Sequence, residues 1–469
     1  MAGFFHGVET QIAPNAVQPV STVPTAIIGL VGCAPQGPQN TLTYVQSRQD
    51  AEQFGGNLFP ATINRSLDFI FNQGAASVIV VNVFDPATMN DLVSAEAVTI
   101  ANGRGQLDFA VLFEAGDPVV SGGSPWTTYT VDNDYTIDEY GLLKIVPNGA
   151  IAEGSTVYVT YYTPDYSGLA SADFIGVTTP ARTGFKLFAE SLDTFNVNPK
   201  IFICPEFSAI AAVAQEMEVQ AESFRAVCFV DAAEGLTRGQ LVSARTTSGT
   251  SFSSVSTRLV PCGPWHKSFD YKGQLANYPL SAWAAGVTSN TDSTEGHWVS
   301  PSNHVISGVV DAEYAMVGQG INDPSSDANL LNSVGIVTTL KVGGARRLWG
   351  NRSAAWPSNS HPRNFISVQR VESILHESLE LAMLPFIDQP LLPATIDAIK
   401  ATANGYIATQ VQLGALLIGS ECIYDPADNP PAQLALGQVK FRLVIMPPTP
   451  AERITFISYL DINLLSNVQ

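Results

Sequence analysis

PATINRSLDFIFNQGAASVIVVNV, residues 60–83, sets a helix against a strand. Its first part, 60–73, repeats apolar residues at helical spacing and is closed by Gly74. Its last part, SVIVVNV at 77–83, carries the unbroken β-branched stretch 78–81 and reads as a buried strand. Upstream, TAIIGLV at 25–31 is a second short run of the same kind. Strand, helix, strand predicts an α/β layer with a parallel pair.

The pattern returns downstream. KIFICPE at 200–206 and RAVCFVD at 225–231 read as strands around a helix at 210–224, and 236–249 as a further helix. Between the two α/β stretches, residues 95–165 change to short alternating strands divided by Gly, Asn, Asp and Pro, as in an antiparallel sandwich or barrel. VGIVTTLKVGGARRLWGNRS at 334–353 reads as a strand pair turning at Gly343-Gly344. The last third opens with an amphipathic helix at 366–384, apolar along Val368, Val371, Ile374, Leu375, Leu379 and Ala382. A second helix at 393–416 begins with Pro and ends near Gly414. QVKFRLVIMPP and ERITFISYLDINLL then read as two strands joined by a Pro-rich turn.

The fold class is therefore α/β (α+β), multidomain. An extended arm covers 1–22, and an α/β core is built from 23–92 and 170–355. An all-β insertion covers 93–169, a C-terminal α+β domain 356–452, and a terminal strand or arm 453–469. Pro14, Pro19 and Pro24 forbid a helix through the first arm. Twenty extended residues span about 65 Å, enough to reach a neighbouring molecule.

Of 469 residues, 45% are hydrophobic and only 14% charged, which excludes a disordered chain. A net charge of -19 argues against general nucleic-acid binding and against electrostatic membrane attachment. Scarce charge with much neutral polar surface suits contact with other subunits. The five cysteines are scattered and never in CxxC spacing, so neither a disulfide framework nor a zinc site is expected. No apolar run approaches a membrane span, and the N-terminus lacks the basic region of a secretory signal.

No nucleotide, hydrolase, zinc-protease or calcium-loop motif is present. His297 and His304 lie near Asp292 and Glu295, but their spacing matches no metal motif. Arg346, Arg347 and Arg352 form the densest basic cluster, which points to ion pairing with acidic residues across an interface. No catalytic residue, cofactor or metal is assigned.

Several segments in order resemble the sheath proteins of contractile phage tails. They include HGVET near the start, PTAIIGLVGCAPQGP at 24–38, RAVCFVDAAEG at 225–235 and AAGVTSNTDSTEGHWVSPSNHVISGV at 284–309. NLLNSVGIVTT at 329–339 and LWGNRS at 348–353 follow, then FISVQRVESILHESL, FIDQP, QLGALLIGSECIYD and PPTPAERITFISYL. DNDYTIDEYGLLKIVPNGAIAEGSTVYVTYYT at 132–163 looks like an insertion found in many members. Ser353 departs from the Thr the family often has there, and 236–262 matches more weakly.

The resemblance implies a virion structural subunit, assembled in the host cytoplasm, that polymerises around an inner tail tube. Contraction would drive the tube through the host envelope. It implies a homo-oligomer in a helical stack of rings, with tail tube, baseplate and tail terminator proteins as partners. It implies no direct nucleic acid and no membrane insertion. The insertion would face outward and the C-terminal domain the tube. Terminal arms would add strands to neighbouring subunits, with Val8, Ile12, Val17 and Val20 at one end and Ile454, Phe456, Ser458 and Leu460 at the other. The 366–412 segment offers Glu372, Glu377, Glu380 and Lys400 as tube-facing candidates. The sheath of a related contractile particle, a bacteriocin or secretion system, is the alternative, and an enzyme with an unrecognised site a more distant one.

Overall fold

The computed structural model describes residues 20–56, 60–123, 127–318 and 320–463. Val8, Ile12 and Val17 lie outside these residues. A six-stranded sheet organises the body, in the order Leu259–Cys262, Val227–Asp231, Ile201–Ile203, Ile27–Gly32, Ser77–Asn82, Thr43–Val45. The first five strands are parallel and the last is an antiparallel edge. In register, Ile28 pairs with both Ile201 and Val78.

Helices cover both faces, so the strands carry near-continuous apolar runs rather than alternation. Successive residues still point to opposite sides. Ile28, Leu30, Val78 and Val80 join Trp283 and Leu67 in one core, and Ile27, Val31, Ile79 and Val81 join Phe202, Phe188 and Met217 in the other. The helices Ile63–Phe71 and Ser281–Thr294 pack together under the first face. Gly286 permits their approach, because a Cβ there would lie 2.9 Å from the Ile70 Cα.

Strands between Asn90 and Pro164 form two three-stranded antiparallel sheets rather than a closed barrel. Their shared core includes Val98, Val120, Leu143, Val157 and Tyr161. This unit also touches the body away from its chain connections. Tyr140 stacks on Tyr271 with ring centroids 5.1 Å apart, and Gln36 donates to Glu139 at 3.2 Å. In the body, Thr338–Val342 and Ala345–Trp349 pair as a hairpin, and Gly343 and Gly344 supply the positive φ values that the two-residue turn requires. The chain is thus a multidomain α+β protein.

The last third differs from the expected layout in two respects. The helix Ile366–Met383 was expected to bury one face. Instead its first three and a half turns are buried almost all round, including Ser367, Gln369, Arg370, Ser373 and Ser378. It lies between the body and the helix Pro393–Leu413 and therefore has two packing faces. Arg442–Val444 pairs with Glu421–Ile423, not with the segment after it. Residues 446–461 form no strand. Pro447, Pro448 and Pro450 lack the N–H groups a hairpin would need, and among the described residues the segment pairs with no strand.

Candidate assembly interface

The described start of the chain is joined to the C-terminal helices. Val20 packs against the cluster containing Val371, Leu375, Tyr406 and Ile407. Thr22 and Tyr406 share a hydroxyl hydrogen bond at 3.0 Å, and the Val23 amide donates to Ser378 Oγ at 3.2 Å. Residues 20–23 therefore lie against the C-terminal helices.

The other end leaves from the same region. Ile454, Phe456, Ile457, Tyr459, Leu460 and Ile462 are all exposed, Phe456 at 91% and Leu460 at 100%; Ser458 is exposed among them. Side chains this apolar are normally covered in a finished assembly. The nearby two-stranded sheet has one open edge on each strand among the described residues. Exposed Val444, Met446, Leu417 and Ile418 flank it.

Glu372, Glu377 and Glu380 are engaged within the chain. Glu372 accepts from Arg363 Nε at 2.7 Å. Glu377 pairs with Lys200, whose ammonium also donates to the Phe224 carbonyl at 2.9 Å. Burial pulls the Lys200 pKa down, while the Glu377 carboxylate opposes that shift. Arg225 grips Glu380 with two bonds of 2.7 Å and holds its carboxyl below the ordinary range. Lys400 is exposed on the next helix.

The basic cluster also pairs within the chain. Arg346 bonds Asp311 and Thr339, Arg347 donates to the Asn303 carbonyl at 2.7 Å, and Arg352 holds Glu452. Asp292 is taken by Arg370 and Glu295 by His304, at 2.8 Å from Nε2. Among the described residues, no group of His, Cys, Asp and Glu could hold a metal ion. No described helix is long and apolar enough to cross a membrane.

Residues not singled out in the sequence join the body to the C-terminal helix. Arg258 donates to Glu222 at 2.6 Å and to Ser373 Oγ at 2.9 Å, and Arg370 reaches both Asp292 and the Thr25 carbonyl. The available signal was an arginine, Arg370, flanked by Val368 and Val371 on a helix expected to be buried.

Residues 163–354 match the family described as the phage tail sheath protein central domain. The tail sheath protein of Burkholderia phage BcepMu is 36% identical over 464 residues, 97% of this chain and 96% of that one. The chain belongs to the tail sheath protein family. Two solved sheaths share the fold of this sheath chain. One is the contracted sheath complex of an extracellular contractile injection system, PVC, with a TM-score of 0.60 at 13% identity over 99% of each chain. The other is the contracted helical sheath of the anti-feeding prophage, with a TM-score of 0.60 at 15% identity over 97% of this chain and 98% of that one. The family is structural rather than enzymatic, and the sheath chain is a phage-particle component.

Proposed function

We propose that this chain forms a helical stack of rings around an inner tail tube and contracts to drive the tube through the host envelope. Subunits assemble in the host cytoplasm, between a baseplate at one end and a terminator at the other. Neighbours are linked by terminal arms that add strands to the open edges beside Glu421–Ile423 and Arg442–Val444.

The observation that carries this reading is the exposed tail 453–463, apolar and without a ladder, next to a small sheet with unpaired edges. An added strand supplies backbone hydrogen bonds and seats alternate side chains. Six such bonds contribute roughly 3–9 kcal/mol before ordering costs of about 1–2 kcal/mol per residue. One arm is thus marginal, whereas a mesh of arms is cooperative. The 366–412 segment, through Lys400 and the outer sides of its helices, is the proposed tube-facing surface.

Electron microscopy of the full chain beside variants lacking 1–20 or 453–469 tests this reading. Tubes or rings from the full chain and monomers from the truncations support it. Normal polymers from both truncations refute arm linkage. A second reading, the sheath of a related contractile particle, is supported by the shared fold with injection-system sheaths.

A further inference from the structure

We propose that the Arg352–Glu452 pair is a releasable stop that sets how far the C-terminal arm reaches from the body. The proposal rests on the arm reading above and adds the device that meters the arm.

The two partners are unequally held. Arg352 is built into the body, with its guanidinium carbon 3.9 Å from the Trp356 ring centroid and 4.2 Å from that of Phe365. Its Nη1 donates to Asn364 Oδ1 at 2.7 Å. The other two nitrogens meet the Glu452 carboxylate as a fork, Nε to Oε1 at 2.9 Å and Nη2 to Oε2. Arg352 is 14% exposed and Glu452 42%. The stacked guanidinium is preorganised whether or not the carboxylate is present. Glu452 is the movable partner.

Among the described residues, no other hydrogen bond holds residues 448–452, and the packing anchor upstream is the buried Pro447. A groove of about 1150 Å³ separates residues 448–456 from a wall that includes Trp298, Trp349 and Trp356. Upstream, the next backbone anchor is Met446, whose carbonyl accepts from the Leu417 amide at 2.9 Å. Pro447 is buried, so releasing Glu452 adds residues 448–452 to the free arm. Five extended residues add about 17 Å. Pro448 and Pro450 keep that addition stiff, so it acts as a strut rather than as slack.

Closed, the clamp holds the arm near its own subunit. Open, it extends the same arm toward a more distant one without loss of the connection at Met446. A half-exposed ion pair suits such a step, because its contribution is small and salt-sensitive.

Trypsin cleavage after Arg453 in the full chain reports the clamp, since that bond directly follows Glu452. Arg352→Lys keeps the charge, loses the fork and leaves the tail sequence intact. It is expected to speed cleavage roughly fivefold, the ratio set by an exposed bidentate pair. Added salt, about 0.5 M, should speed wild-type cleavage and leave Arg352→Lys nearly unchanged. In Glu452→Ala, an exposed site, dyes on Ser458→Cys and Val255→Cys should move apart by up to about 17 Å. The five native cysteines are buried, so labelling goes to the introduced pair. Unchanged cleavage together with unchanged dye distance would overturn the stop. Truncation of 453–469 judges the arm reading separately. If it abolishes polymerisation while both readouts match wild type, the clamp alone falls. If it polymerises normally, the arm reading falls, and the two readouts still judge the clamp.

Discussion

Arg370 donates to Asp292, Nη1 to Oδ1 at 2.7 Å, with both side chains almost wholly buried, at 3% and 1% exposure. The pair joins the helix Ile366–Met383 to the helix Ser281–Thr294, and Arg370 also reaches the Thr25 carbonyl at 3.1 Å. Three distant parts of the chain meet at one guanidinium. Removing one partner strands the other charge in the interior, at a cost of about 3–5 kcal/mol. Arg370→Ala should lower the unfolding free energy read from urea melts by that amount, and Asp292→Asn by a comparable one. A loss under about 1 kcal/mol would mean that the pair is solvated and the junction held by packing alone.

That junction also marks where sequence reading stops. SVIVVNV is legible as a strand because burial on both faces writes itself as the β-branched stretch 78–81. The Gly343-Gly344 turn is legible because few other residues accept its backbone. The Arg370–Asp292 pair spans 78 positions, and nothing local in QRVES announces a partner that far away. ERITFISYL fails differently. Alternation is a property of the segment, whereas a ladder belongs to two segments, and the described residues offer this one no strand to pair with. The apolar character of 453–463 was therefore legible, and the buried ion pairs that join the C-terminal helix to the body were not.

Four buried titratable groups give opposing pH trends. Burial, with Arg346 nearby, pulls His266 down to about 3, and burial with Arg370 pulls His297 down to about 4. Burial lifts Asp231 to about 7 against donors on Ser281 and Ser208, and lifts Glu206 to about 7 against Arg65. The histidines take protons only when unfolded, so their stability is present above about 6.5 and lost as pH falls. The carboxyls hold protons when folded, so theirs is present at low pH and lost as pH rises toward 7. Between about pH 4.5 and 6.5 two protons leave and two are gained, and the slopes cancel. Asp231→Asn removes one carboxyl from that balance. Relative to wild type, its stability should rise by about 1.4 kcal/mol per pH unit across that window. Parallel wild-type and variant profiles in urea melts would show that Asp231 does not hold the proton.

Gly29 sits in the central strand with no room above it. A Cβ there would lie 2.7 Å from Phe202 Cδ1 and 3.1 Å from Phe188 Cζ, and both rings are fully buried. Its backbone is ordinary, so the constraint is packing and not conformation. Gly29→Ala should cost about 1–3 kcal/mol as the rings leave their rotamers. Thermal melting checks this, and an unchanged midpoint would mean that the two rings yield without cost.

Charge reversal can locate the tube only where it leaves the subunit intact. Glu380→Lys would set an ammonium against Arg225 in place of two 2.7 Å hydrogen bonds, so lost assembly there would confound docking with damage at the domain junction. Lys400 is exposed on the helix Pro393–Leu413, and Lys400→Glu should leave the unfolding free energy from urea melts within about 0.5 kcal/mol of wild type. If that helix faces the tube, tube-templated polymerisation should slow in this variant, and more so at low salt, where a misplaced charge is least screened. Template-independent association through the arms should proceed as in wild type. Equal templated rates for Lys400→Glu and wild type, at both salt concentrations, would remove this helix from the tube-facing surface.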